Sequence, residues 1–141
     1  MFEFDKLCRE YENLSDEKRL EMLTDLAGVI IPAIEDEDGG IPAFYLLVSA
    51  ACAADGKLDA DEFALFRDST GLDLDFDEAA ETIRQIRGKD LLQEADELVD
   101  SFENTAEDIK TAMVSYCLCL CSADRRISLK ERSFIRKLIK D

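Results

Sequence analysis

Two short acidic segments contain the side chains best suited to chemistry in this chain. The first runs from Asp55 to Glu62 and includes Asp59, and the second runs from Asp124 to Glu131. Carboxylate oxygens are ligands that calcium, magnesium and manganese prefer in proteins. The segments therefore predict a site for a divalent cation (Ca, Mg or Mn) as the only candidate cofactor, with ligands Asp55, Asp59, Glu62, Asp124 and Glu131.

The calcium loop of an EF-hand provides a test of this ligand pattern. With Gly56 at the turn position, the acidic residues of the first segment fall at later ligand positions of such a loop. Two earlier ligand positions are occupied by Ala51 and Ala53, and the second segment has Arg125 in place of the turn glycine. Calcium takes about 6–8 oxygen ligands, so an EF-hand is excluded. A weaker site remains open if the two segments converge.

Helix capping is a simpler explanation of the same residues. The patterns Asp59-x-x-Glu62 and Ser128-x-x-Glu131 are capping boxes. In a capping box the first side chain accepts from an N–H in the first helical turn, and the glutamate reaches back to the cap residue. Capping alone accounts for both segments, and the cation site stands beside it as the second hypothesis.

Cysteines are the other side chains that could take part in chemistry. They are Cys8, Cys52, Cys117, Cys119 and Cys121. On one helix, Cys117 and Cys121 share a face while Cys119 points away, so these three thiols do not converge on a metal. The chain has no histidine, which removes imidazole-dependent catalysis and the mixed Cys/His zinc sites. We therefore predict buried core thiols, no catalytic residue and no enzymatic activity.

The net charge of the chain limits the classes of molecule that it can bind. The chain of 141 residues has 17 Lys or Arg against 33 Asp or Glu, for a net charge of −16. Such a surface repels phosphate backbones and anionic lipid, so nucleic-acid binding is not expected. The N-terminal residues lack the pattern of a secretory signal, and the longest apolar run, residues 41–54, is shorter than the roughly 20 residues of a membrane span. We expect a cytoplasmic protein without direct membrane insertion.

Helical patterns extend along the whole chain, and no alternating strand pattern interrupts them. Capping residues, glycines and apolar spacing predict an all-α fold, a compact helical bundle of about seven to eight helices in one domain over residues 1–141. The predicted helices span residues 2–13, 15 to about 32, 42–54, 59–71, 75–88, 90–102, 105–123 and 128 to about 140. Pro32 is expected to kink or end the second helix.

Two segments of the sequence resemble each other and indicate an internal repeat. An offset of 69 residues aligns Asp55 with Asp124 and Glu62 with Glu131, each after a helix that is apolar nearly all round. Such a helix must be central in a soluble protein. We predict two pseudo-repeated helix–loop–helix units, at about residues 42–70 and 111–140.

An apolar, Ala-rich helix precedes the pattern Ala54-Asp-Gly-x-aliphatic-x-x-x-Glu62, and this combination occurs twice in an acidic helical chain. It resembles the TerB-like (tellurite resistance protein B) domain. The resemblance covers about residues 20–141, and its distinct motifs are the two loops. It implies a helical bundle of two related halves that works in tellurite, chemical or phage stress-response assemblies, often membrane-associated, and binds divalent metal through acidic side chains. On this chain those positions are Asp55, Glu62, Asp124 and Glu131.

Two functions of different classes follow. The first is a non-enzymatic TerB-like module in a stress-response assembly with protein partners, binding a cation at the acidic loops. The alternative is a ligand-free acidic interaction domain that docks a basic partner, with acidic residues 35–38 and 73–81 as candidate surfaces. Residues 125–141 contain seven basic and two acidic side chains, and we expect this basic end to pack on the chain's own acidic faces.

Overall fold

Helices make up the described part of the chain. The computed structural model describes residues 4–35, 40–52, 60–72, 75, 77–78, 81, 106–124, 127 and 135–136. Within them lie five α-helices and a terminal 3₁₀ turn, with no strand: α1 Phe4–Glu12, α2 Asp16–Ile34, α3 Gly40–Cys52, α4 Ala60–Thr70, α5 Glu107–Cys121 and the turn Ser122–Asp124. The all-α prediction is confirmed for these residues.

The predicted total of seven to eight helices and the repeat units at 42–70 and 111–140 stay predictions. The sixth predicted helix and most of the fifth and eighth fall outside the described residues. Residues 77, 78, 81, 135 and 136, from the fifth and eighth, are helical. None of the described helices has both the length and the apolar composition that a membrane crossing requires.

Local signals set the ends of α2 and α4. The Ser15 side chain accepts from the Lys18 N–H at 3.2 Å, which caps α2 as predicted. Helix α2 continues through the exposed Pro32 and ends at Ile34, so the helix ends two residues after the proline. Helix α4 stops before Gly71, whose φ of +71° suits glycine and whose N–H donates to the Arg67 carbonyl at 3.0 Å.

Helix α5 lies at the centre of the fold. It packs against α1, α2, α3 and α4, and α2 also packs against α4. Residues 112–114 and 116–121 of α5 are all buried. The prediction that this helix has no polar face toward solvent over most of its length is confirmed, because neighbours surround it on several sides.

Aromatic side chains join α3, α4 and α5 into what we call the aromatic cluster, defined as Phe44, Tyr45, Phe63, Phe66 and Tyr116. Phe66 is its hub, with ring centroids 6.1 Å from Phe44, 6.0 Å from Tyr45 and 6.1 Å from Tyr116. The Phe44 and Tyr116 contacts are edge-on, a geometry that adds roughly 0.5–1.5 kcal/mol per pair beyond the burial of area. The Tyr116 hydroxyl shares a hydrogen bond with the Ser69 hydroxyl of α4, so this buried phenol has a partner.

A fully buried arginine connects α1 and α2 to the end of α5. Arg19 of α2 is 0% exposed. Its Nη2 donates to the Tyr11 carbonyl at 3.0 Å and to the Leu14 carbonyl at 3.2 Å, its Nη1 to Asp16 Oδ1 at 3.3 Å, and its Nε to Ser122 Oγ at 3.3 Å. Carbonyls at the end of α1 carry the negative end of the helix dipole, so they compensate part of the buried charge.

Ser122 completes the same network. Its hydroxyl lies 3.2 Å from the Tyr11 carbonyl and 2.7 Å from the Cys119 carbonyl, in reach of donation to either. Ser122 is 0% exposed, so water does not compete for these bonds. The chain therefore leaves α5 in a direction that is set by α1 and α2.

We predict that Arg19→Lys destabilises the fold by about 2–4 kcal/mol. Lysine keeps the positive charge but lacks the planar fork that reaches several acceptors at once. Urea unfolding monitored by circular dichroism measures the effect.

Lys18→Ala is the matched control for Arg19→Lys. Lys18 is the neighbouring basic residue, and its exposed ion pair with Glu21 spans 3.9 Å, so a change within about 0.5 kcal/mol is expected. Equal effects of the two substitutions would contradict the role given to Arg19.

Candidate metal site

Of the five predicted ligands, Glu62 is the one whose side chain the structure describes. It lies in the first turn of α4 and is 4% exposed. Asp55, Asp59 and Glu131 lie outside the described residues, and the backbone of Asp124 belongs to the 3₁₀ turn after α5. Convergence of the five residues on one cation therefore stays a prediction.

Burial of the Glu62 carboxylate is compatible with both hypotheses for the first loop. The first turn of a helix presents backbone N–H groups and the positive end of the dipole, which stabilise a carboxylate there. In a capping box, a glutamate in the first turn of the helix accepts from the backbone N–H of the cap residue. A cation held by the same carboxylate also stabilises its negative charge away from water.

Ser49 is a functional candidate that the sequence analysis did not single out. It lies in α3 and is 2% exposed, and its Oγ has no hydrogen-bond partner among the residues that the structure describes. A buried hydroxyl without a partner costs about 1–3 kcal/mol. The available signal was its position as a hydroxyl residue inside the longest apolar run of the chain.

The chemistry of these donors fits a hard divalent cation. A carboxylate at Glu62 and a hydroxyl at Ser49 are oxygen ligands of the kind that calcium, magnesium and manganese take. The described ranges contain no group of three His, Cys, Asp or Glu side chains placed to hold a metal. A complete ligand set therefore depends on Asp55 and Asp59.

The start of the second acidic segment is tied to α1. The Ile127 N–H donates to Glu12 Oε2 at 2.7 Å, and Ile127 is 2% exposed. Together with Ser122, this bond fixes the backbone on both sides of residues 125–126. Sequence reasoning missed Glu12 because its partner lies 115 residues away along the chain.

The cysteines are core thiols, as predicted, wherever their side chains are described. Cys8, Cys117, Cys119 and Cys121 are buried thiols, while the side chain of Cys52 lies outside the described set. Burial raises the pKa of the Cys119 thiol to about 12, and the nearby Arg19 guanidinium lowers it by less than burial raises it. Cys119 therefore stays protonated and is a poor nucleophile.

Exposed carboxylates line the start of the next helical stretch. Asp75, Asp77, Glu78 and Glu81 are all exposed. The Asp75 side chain accepts from the Asp77 and Glu78 N–H groups at 2.8 and 3.2 Å, as predicted for a helix start. Burial raises the pKa of Tyr45, and the Glu78 and Asp75 carboxylates raise it further, so these two carboxylates lie close to the aromatic cluster.

The basic C-terminal region contacts the acidic first helix. Arg136 Nη2 lies 3.3 Å from Asp5 Oδ1 in an exposed ion pair, next to the fully buried Ile135. At this position the basic region packs on the chain's own acidic face, in agreement with the expectation from its charge. An exposed pair contributes at most about 1 kcal/mol, so the buried Ile135 is the stronger anchor.

Comparison with protein-family models, with curated proteins and with solved structures finds no match to this chain.

We predict that the free energy of unfolding falls as pH rises from 9.0, the ordinary thiol value, toward about 12. In this window the unfolded state loses the Cys119 proton that the folded state keeps, so rising pH favours unfolding. Through this thiol, the free energy of unfolding falls by about 1.4 kcal/mol per pH unit. Urea titrations at pH 8, 9, 10 and 11 measure the slope.

Cys119→Ala supplies the comparison for this slope. The alanine variant lacks the titrating thiol, so its stability should fall less steeply over the same interval, whatever its absolute value. Parallel curves for the two proteins would show that Cys119 titrates normally in the folded state.

Proposed function

We propose that this chain is a non-enzymatic, TerB-like helical module of a cytoplasmic stress-response assembly of the tellurite, chemical or phage resistance type. In this proposal Asp55, Asp59 and Glu62 of the first loop bind a divalent cation. The observation that carries it is the burial of Glu62, a carboxylate 4% exposed in a protein of net charge −16.

The burial of Glu62 supports a cation because of its cost. A carboxylate removed from water needs compensating positive charge or donors, and the surrounding chain has far more acids than bases. The first turn of α4 supplies part of that compensation through its N–H groups. A divalent ion shared with Asp55 and Asp59 stabilises the same buried negative charge.

The second loop is a weaker cation site in this proposal. Asp124 and Glu131 repeat two of the acidic positions, but Arg125 and Arg126 stand between them in sequence. Two guanidinium groups oppose the attraction of a cation. In this proposal, Asp124 and Glu131 act as ligands only if they come close to the cation that the first loop binds.

The exposed carboxylates at residues 75–81 favour the alternative, an acidic interaction domain without a ligand. Four of them lie at one helix start, where they can attract a protein partner with a basic surface. In either case the partners are proteins, within an assembly that is membrane-associated in the family the chain resembles, and not nucleic acid.

We expect titration with calcium or magnesium to shift the amide resonances of residues 55–62 saturably in the wild type. Manganese should broaden the same signals. Glu62→Gln should weaken the affinity by more than roughly tenfold, the loss seen even for groups that only support a ligand. Two-dimensional ¹⁵N–¹H spectra measure both effects.

Glu17→Gln is the control for charge alone, because Glu17 is an exposed acid in the first turn of α2. Its variant should bind the cation as the wild type does. Shifts that spread weakly over every acidic stretch, with Glu62→Gln costing only the roughly 0.5–2 kcal/mol of a lost cap, would favour the ligand-free interaction domain.

A further inference from the structure

We draw no further inference here: the strongest candidate, the exposed face of α2 around Gly28, Val29 and Pro32, carries nothing because nothing in the part of the chain that the structure describes shows what covers this face.

Discussion

The arrangement of α1, α2 and α5 depends on the hydrogen bonds that one buried guanidinium donates. Arg19 is 0% exposed and donates to carbonyls at the end of α1, to Asp16 and to Ser122 just after α5. A buried charge is tolerated only when its donors are satisfied, so these three parts of the chain cannot move apart separately. One consequence is that the segment leading into Asp124 starts from a fixed place beside α1, where Glu12 also holds the Ile127 N–H.

Helix α5 connects the hydrogen-bond network of Arg19 to the aromatic cluster. Cys119, near its end, faces the Arg19 network, with its Sγ 3.9 Å from the Arg19 carbonyl. One turn earlier, Tyr116 enters the aromatic cluster and contacts Phe44 at 5.5 Å. The cluster in turn packs α3 and α4 against α5. The polar network around Arg19 and the aromatic cluster therefore contact the same helix, α5, about one turn apart.

Local features of this fold are predictable from sequence, and long-range polar contacts are not. The Ser15 cap, the stop at Gly71 and the apolar helix α5 follow from rules that act within a few residues. Arg19 escapes such rules, because an arginine in an amphipathic helix is normally exposed and its partner Ser122 lies 103 residues away. For the candidate site, sequence identifies Glu62 as an acidic first-turn residue. Its burial depends on how α4 packs against the rest of the protein, which periodicity alone does not determine.

The most direct test of the proposed cation site at the buried Glu62 carboxylate is anomalous diffraction from crystals grown with manganese. We predict a peak within about 2.0–2.6 Å of a Glu62 carboxylate oxygen. Peaks confined to exposed carboxylates such as Asp75 and Glu81, or no peak in well-diffracting crystals, would contradict the account and leave Glu62 as a buried helix cap.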